Sequence, residues 1–285
     1  MLGFQKKYDW DLMKINPRAS YYVEEWGTEF KYSGEADKKP VQVSTAVKTV
    51  SDWLKIKPLD RRAGSFGEQL KAVELIKQGL DDKLDFVQTV FSPLSVAADM
   101  TNSNEAFVEL LSTGTHLESA LESITVTLGK YVEELLGLGV TGIFYATTEW
   151  ATRKNISEEQ YLQYGREYDL RVLEKARPAK FNILHVCKDY NMLPLFKDYP
   201  VDILSWNKHD EGNLDFRQAD NIFNRVFLGG IDHNDTLLNG TPEDVALQIE
   251  AAITDAGDHP LILAPGCTVR IGTPEVNLQA LKRST

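Results

Sequence analysis

The stretch NILHVC, residues 182–187, is a short apolar run that ends on a histidine and a cysteine two positions apart. Brief, continuous apolar runs of this kind are expected for parallel strands buried on both faces. Six more share the character: DLMKIN (11–16), FVQTVF (86–91), GIFYATTEW (142–150), DILSWN (202–207), VFLGGI (226–231) and LILAPG (261–266). Between them lie helical patterns. Leu117, Leu121, Ile124, Leu128, Tyr131, Val132 and Leu135 recur at three- and four-residue steps and paint one helix face. Ser157 and Gln160 form a capping box for another helix. Thr241 and Thr273, each followed by proline, are expected to cap two more.

Uninterrupted alternation of strand and helix points to a parallel sheet. No glycine-rich G-x-G-x-x-G turn follows any strand, so the dinucleotide-binding arrangement lacks its fingerprint. The pattern therefore fits an α/β (β/α)8 TIM barrel, one strand short of eight, built as a single domain over residues 1–285. Residues 26–60 are polar and irregular apart from VQVSTAVKTV, and are expected to form an excursion over the barrel mouth.

Composition excludes several classes. A formal net charge of −11 argues against a sequence-independent phosphate-binding surface, so no nucleic acid partner is expected. No apolar run reaches the length of a membrane span, and the start MLGFQKKYDW lacks the apolar core of a secretory signal. Two cysteines make a poor disulfide framework, and the expected location is the cytoplasm.

Those two cysteines sit at equivalent places, each at the end of an apolar run. In a barrel, reactive side chains gather where strands end. Residues two apart on a strand point to the same side, so His185 and Cys187 can be presented together. Closure of the barrel would bring Cys267 near them. One imidazole and two thiolates suit zinc (Zn2+), and three protein ligands leave a fourth tetrahedral position open, as in catalytic sites. Glu149, Asn207 and Asp232 also lie at strand ends, as a fourth ligand or as partners that orient His185; loop hydrogen bonding is the alternative role for each. Arg270 could pair with an anionic group on a substrate.

These same stretches, with FVQTVFSPLSVA, GVTGIFYATTEW and FLGGIDHNDTLLNGTPEDV, resemble the uroporphyrinogen decarboxylase superfamily. Within it the chain is most similar to zinc-dependent methyltransferases that move a methyl group from a corrinoid to a thiol. In that branch an H-x-C pair and a distant cysteine bind zinc, which corresponds here to His185, Cys187 and Cys267. The resemblance implies a zinc-activated small thiol as substrate, a corrinoid as methyl donor, and a corrinoid protein as partner. It departs at the N-terminus: the family's first barrel strand has no counterpart, and Asn16 and Pro17 stand where the decarboxylases carry an acidic residue. The open seam this leaves would invite pairing into a homodimer.

Two other functions fit parts of the same sequence. A tetrapyrrole decarboxylase needs converging arginines, and Arg18, Arg153 and Arg270 follow strands as a partial set for substrate binding. A shortened barrel could also hold a corrinoid or tetrapyrrole without turnover.

Overall fold

The computed structural model describes every residue except 36, 37, 39, 82, 83, 114, 115, 284 and 285. All seven apolar runs form strands, and all seven lie in one parallel sheet. In chain order the strands among the described residues are β1 (Leu12–Ile15), β2 (Glu29–Lys31), β3 (Val41–Ser44), β4 (Asp85–Phe91), β5 (Gly142–Ala146), β6 (Ile183–His185), β7 (Ile203–Ser205), β8 (Val226–Ile231) and β9 (Leu261–Pro265). The sheet order is β1-β4-β5-β6-β7-β8-β9, and it curls into an incomplete (β/α)8 barrel. β2 and β3 pair with each other as an antiparallel ribbon within the segment expected to be irregular. That segment docks on the chain just past the short helix Pro93–Asp99: Gln42 donates to the Thr101 carbonyl at 3.0 Å, and the Val47 amide to that of Met100, also at 3.0 Å.

Alternation along the strands sorts the core into two layers. Val87, Phe144, Ala146, Ile183, Ile203 and Leu228 pack together inside the barrel. Their neighbours Phe86, Ile143, Tyr145, Leu184, Leu204 and Phe227 face the helices. The helix Leu117–Gly137 buries each of the seven periodic residues read from the sequence against that outer face.

β1 and β9 are the two edges of the sheet and share no ladder. The seam between them is crossed by side chains instead. Tyr8, with Trp10 beside it, packs on Ile231, Leu237, Leu278 and Leu281, and Lys282 pairs with Asp11 at 3.0 Å. No helix among the described residues is long and apolar enough to cross a membrane.

Two local expectations are corrected. The strand read over residues 142–150 ends at Ala146, because Thr148 adopts a left-handed backbone that an extended strand cannot hold. Thr241 caps its helix as expected, accepting from the Asp244 amide. Thr273 does not cap: its hydroxyl donates to the Arg270 carbonyl at 2.8 Å, and the helix starts at Glu275.

Candidate metal centre

His185 is the last residue of β6, paired in register with Ala146 of β5 and Ser205 of β7. It belongs to the inward-facing set with Ile183, and its ring lies 5.2 Å from that of Phe144. Cys187 follows two residues later. Beyond it the chain turns sharply, with Lys188 and Tyr190 both in the left-handed region that non-glycine residues seldom occupy. The turn is held by Asn213, whose amide donates to the Lys188 carbonyl at 2.9 Å, and by the Tyr190 amide, which donates to the Glu211 carbonyl. Cys267 follows Gly266 just past β9. A Cβ at Gly266 would lie 2.5 Å from Asn207 Oδ1, so only glycine lets this loop pass so close to the β7 end.

The three side chains converge. Cys187 Sγ and Cys267 Sγ are 3.7 Å apart as free thiols, and the ligand atoms of His185, Cys187 and Cys267 all lie within 4.8 Å of one another. A tetrahedral zinc ion with sulfurs at about 2.3 Å sets those sulfurs about 3.8 Å apart. The imidazole is 4% exposed; Nδ1 is 3.1 Å from Ser205 Oγ, while Nε2 is buried with no hydrogen-bond partner. With Nδ1–H donating to Ser205, the Nε2 lone pair is presented for coordination. A buried nitrogen without a partner, beside two thiols at this spacing, is what a metal-ion site offers when its protein donors alone are present. The residues fit zinc.

The electrostatics favour charge on sulfur. Cys267 is held far below its ordinary thiol value, first by the hydrogen bond from Cys187 and then by His185. The same hydrogen bond, with burial, pushes Cys187 up.

The other expected site residues are more dispersed. Glu149 pairs with Lys188 at 3.5 Å on the rim beside Cys187. Asn207 donates to Asp210 at 2.7 Å and packs on Gly266. Asp232 accepts from the Asn234 amide at 2.8 Å, the loop-capping role. Neither Glu149 nor Asp232 belongs to the converging cluster. Arg270 is exposed and donates to Asn234 at 2.8 Å, and Arg18 is taken up by Glu24 and Glu68 at 2.7 and 2.6 Å. One residue escaped the sequence reading, and a histidine that follows a strand without a metal-ligand spacing lies nearby. Ser205, which orients His185, needed knowledge of the register between β6 and β7. His233, 3% exposed with Nδ1 unpartnered, has its pKa lowered by burial, while nearby Cys267 acts in the opposite direction.

An incomplete (β/α)8 barrel with an inward imidazole and two thiols at its strand ends defines a class: a barrel protein built around a soft-ligand centre. Comparison with known sequences narrows the class. The uroporphyrinogen decarboxylase (URO-D) family matches residues 2–284, and the chain belongs to that family. It is 26% identical over 256 residues to the methylcobamide:CoM methyltransferase MtbA of Methanosarcina acetivorans, covering 87% of this chain and 72% of that protein. It is 28% identical over 222 residues to a methylated-thiol–coenzyme M methyltransferase of Methanosarcina mazei, covering 75% of this chain and 56% of that protein. Among solved structures, a methyltransferase from Methanosarcina mazei superimposes with a TM-score of 0.83 at 19% identity, covering 99% of this chain and 82% of the other. A B12-independent methionine synthase from Shewanella gives 0.65 at 15% identity, covering 99% and 84%.

Proposed function

We propose that this protein is a methyltransferase that moves a methyl group from a corrinoid to a small thiol, with His185, Cys187 and Cys267 holding zinc. The observation that carries the reading is the sulfur pair 3.7 Å apart beside a buried, unpartnered imidazole nitrogen. Zinc, when bound, keeps a coordinated thiol ionised at neutral pH. The protein's own residues do the rest. Ser205 holds the ring of His185 through Nδ1. The left-handed turn at Lys188 and the close passage of Gly266 past Asn207 set the two sulfurs at their spacing. Phe144, Ile183 and Leu228 make the barrel interior apolar, which strengthens charge interactions at the strand ends. In the overall reaction a sulfur–carbon bond forms as the methyl leaves its donor, and the thiol proton passes to solvent.

The names of the relatives support this reading, since they describe corrinoid and thiol methyl transfer. The tetrapyrrole decarboxylase alternative is less well served. Arg18 is bound by two carboxylates, and Arg153 by Glu158 and the Asn191 carbonyl, so neither is free to gather an acidic ring system.

The test is metal analysis of purified protein together with methyl transfer from methylcobalamin to 2-mercaptoethanol. Wild type is expected to carry about one zinc per chain, and His185→Ala and Cys267→Ala far less, with transfer lost in parallel. A metal-free wild type that resists zinc loading would end the proposal.

A further inference from the structure

Lys14 is the feature that the site as described leaves unused. It stands on β1 in register with Val87, an inward-facing residue, while Met13 and Ile15 on either side belong to the outer core. Lys14 therefore enters the barrel. Its Nζ lies 4.3 Å from the centre of the Phe144 ring, and that ring lies 5.2 Å from His185. Its remaining polar contact is Asn16 Oδ1 at 3.3 Å, and no carboxylate among the described residues is within ion-pairing distance of it. Burial lowers its pKa, and the two groups that act in the opposite direction are Cys267 and Cys187. Lys188, the other cation near the sulfurs, is half exposed and already paired with Glu149.

An ammonium that points into the barrel and has no carboxylate partner is free to meet an anion there. The charge count shows which anion. Two cysteinates and a divalent cation sum to zero, and an arriving thiolate adds one negative charge that Lys14 would balance. We infer that Lys14 is a positioning residue whose ammonium holds the substrate thiol in its anionic form beside Cys187 and Cys267. This rests on the zinc–thiol reading above and adds the residue that selects the thiolate.

The experiment is calorimetric titration of zinc-loaded protein with two thiols, 2-mercaptoethanol with an uncharged tail and mercaptoacetate with an acidic one. Lys14→Met keeps the side chain's bulk and removes its charge; Lys14→Arg keeps the charge. Lys14→Met is expected to weaken both thiols by a similar factor, about ten-fold or more, with zinc content unchanged and Lys14→Arg restoring most of the affinity. In turnover the loss is expected in KM rather than in kcat. Unchanged affinity for 2-mercaptoethanol in Lys14→Met would overturn the inference, as would a loss confined to mercaptoacetate, which would make Lys14 a reader of the substrate's tail. A wild type that binds zinc and thiol normally while Lys14→Met shows no effect sinks only this inference. A wild type that takes no zinc sinks the underlying reading as well.

Discussion

His185 and Ser205 end adjacent strands at the same level of the barrel, with Nδ1 and Oγ 3.1 Å apart. The serine engages Nδ1 and leaves Nε2 as the imidazole nitrogen without a hydrogen-bond partner. Ser205→Ala should leave the fold intact, since the site is small and the change removes one hydroxyl. It should weaken zinc binding by about ten-fold or more, as is usual when the partner of a ligating histidine is lost. Competition with a chromogenic chelator measures this directly. Equal affinities in the two proteins would show that the ring is held by packing against Phe144 alone.

Closure of the barrel rests on side chains, because β1 and β9 share no hydrogen bonds. Leu278 is buried in the cluster that joins Tyr8 and Trp10 at the N-terminal end to Ile231 and Leu281. Leu278→Ala should destabilise the protein by about 2–4 kcal/mol in urea denaturation, the usual cost of a buried leucine truncated to alanine. Val276, 55% exposed on the same helix, is the control, and Val276→Ala should change stability by under about 0.5 kcal/mol.

The seven barrel strands were legible because parallel strands buried on both faces leave short, largely apolar runs set between helical patterns. The H-x-C pair was legible because both residues close the same short run, although β6 itself ends at His185 and the chain beyond it carries Cys187. What escaped depends on relations between strands. Ser205 reads as an ordinary strand serine until the register sets it opposite His185. Lys14 interrupts an apolar run on an edge strand, where a lysine usually faces water; the curl of the sheet turns that face into the barrel instead. Thr273 shows the local limit. It shares its Gly-Thr-Pro-Glu context with Thr241, but its hydroxyl is captured by the Arg270 carbonyl, a competition within the loop that the shared motif does not reveal.

Gly266 tests how tightly the Cys267 loop is set. A methyl group there would sit 2.5–2.7 Å from the Asn207 side chain, well inside contact distance, and Asn207 is tied to Asp210. Gly266→Ala must therefore shift the Cys267 loop or break the Asn207 hydrogen bond, at a cost of about 1–3 kcal/mol in stability. Because Cys267 is the next residue, zinc affinity should fall with it. Pairing the change with Asn207→Gly removes the obstructing atoms and should return most of the affinity. If the single variant binds zinc as wild type does, the loop is more compliant than its packing suggests.

Away from the centre, Asp169 is fully buried and accepts from three tyrosines: Tyr145 at 2.7 Å, Tyr161 at 2.7 Å and Tyr199 at 3.0 Å. Burial raises its pKa to about 6 from the ordinary 3.8, although the three hydroxyls pull it back down. A carboxyl raised in the folded state binds its proton more tightly there than in the unfolded chain. Stability is therefore greatest at low pH for this group, falls as pH rises from near 4 to near 6, and levels off above. Relative to an uncharged isostere, the wild type should lose about 2–3 kcal/mol between pH 4 and pH 7. Asp169→Asn provides that isostere, and its absolute stability will also carry the cost of an amide that accepts less well from tyrosine. The pH dependence separates the two effects, since the hydrogen-bonding cost is constant with pH and the ionisation cost is not. Urea denaturation of both proteins at four pH values from 4 to 7 gives the difference curve. A flat difference would mean that the three tyrosines hold Asp169 ionised across the whole range, with burial fully offset by hydrogen bonding.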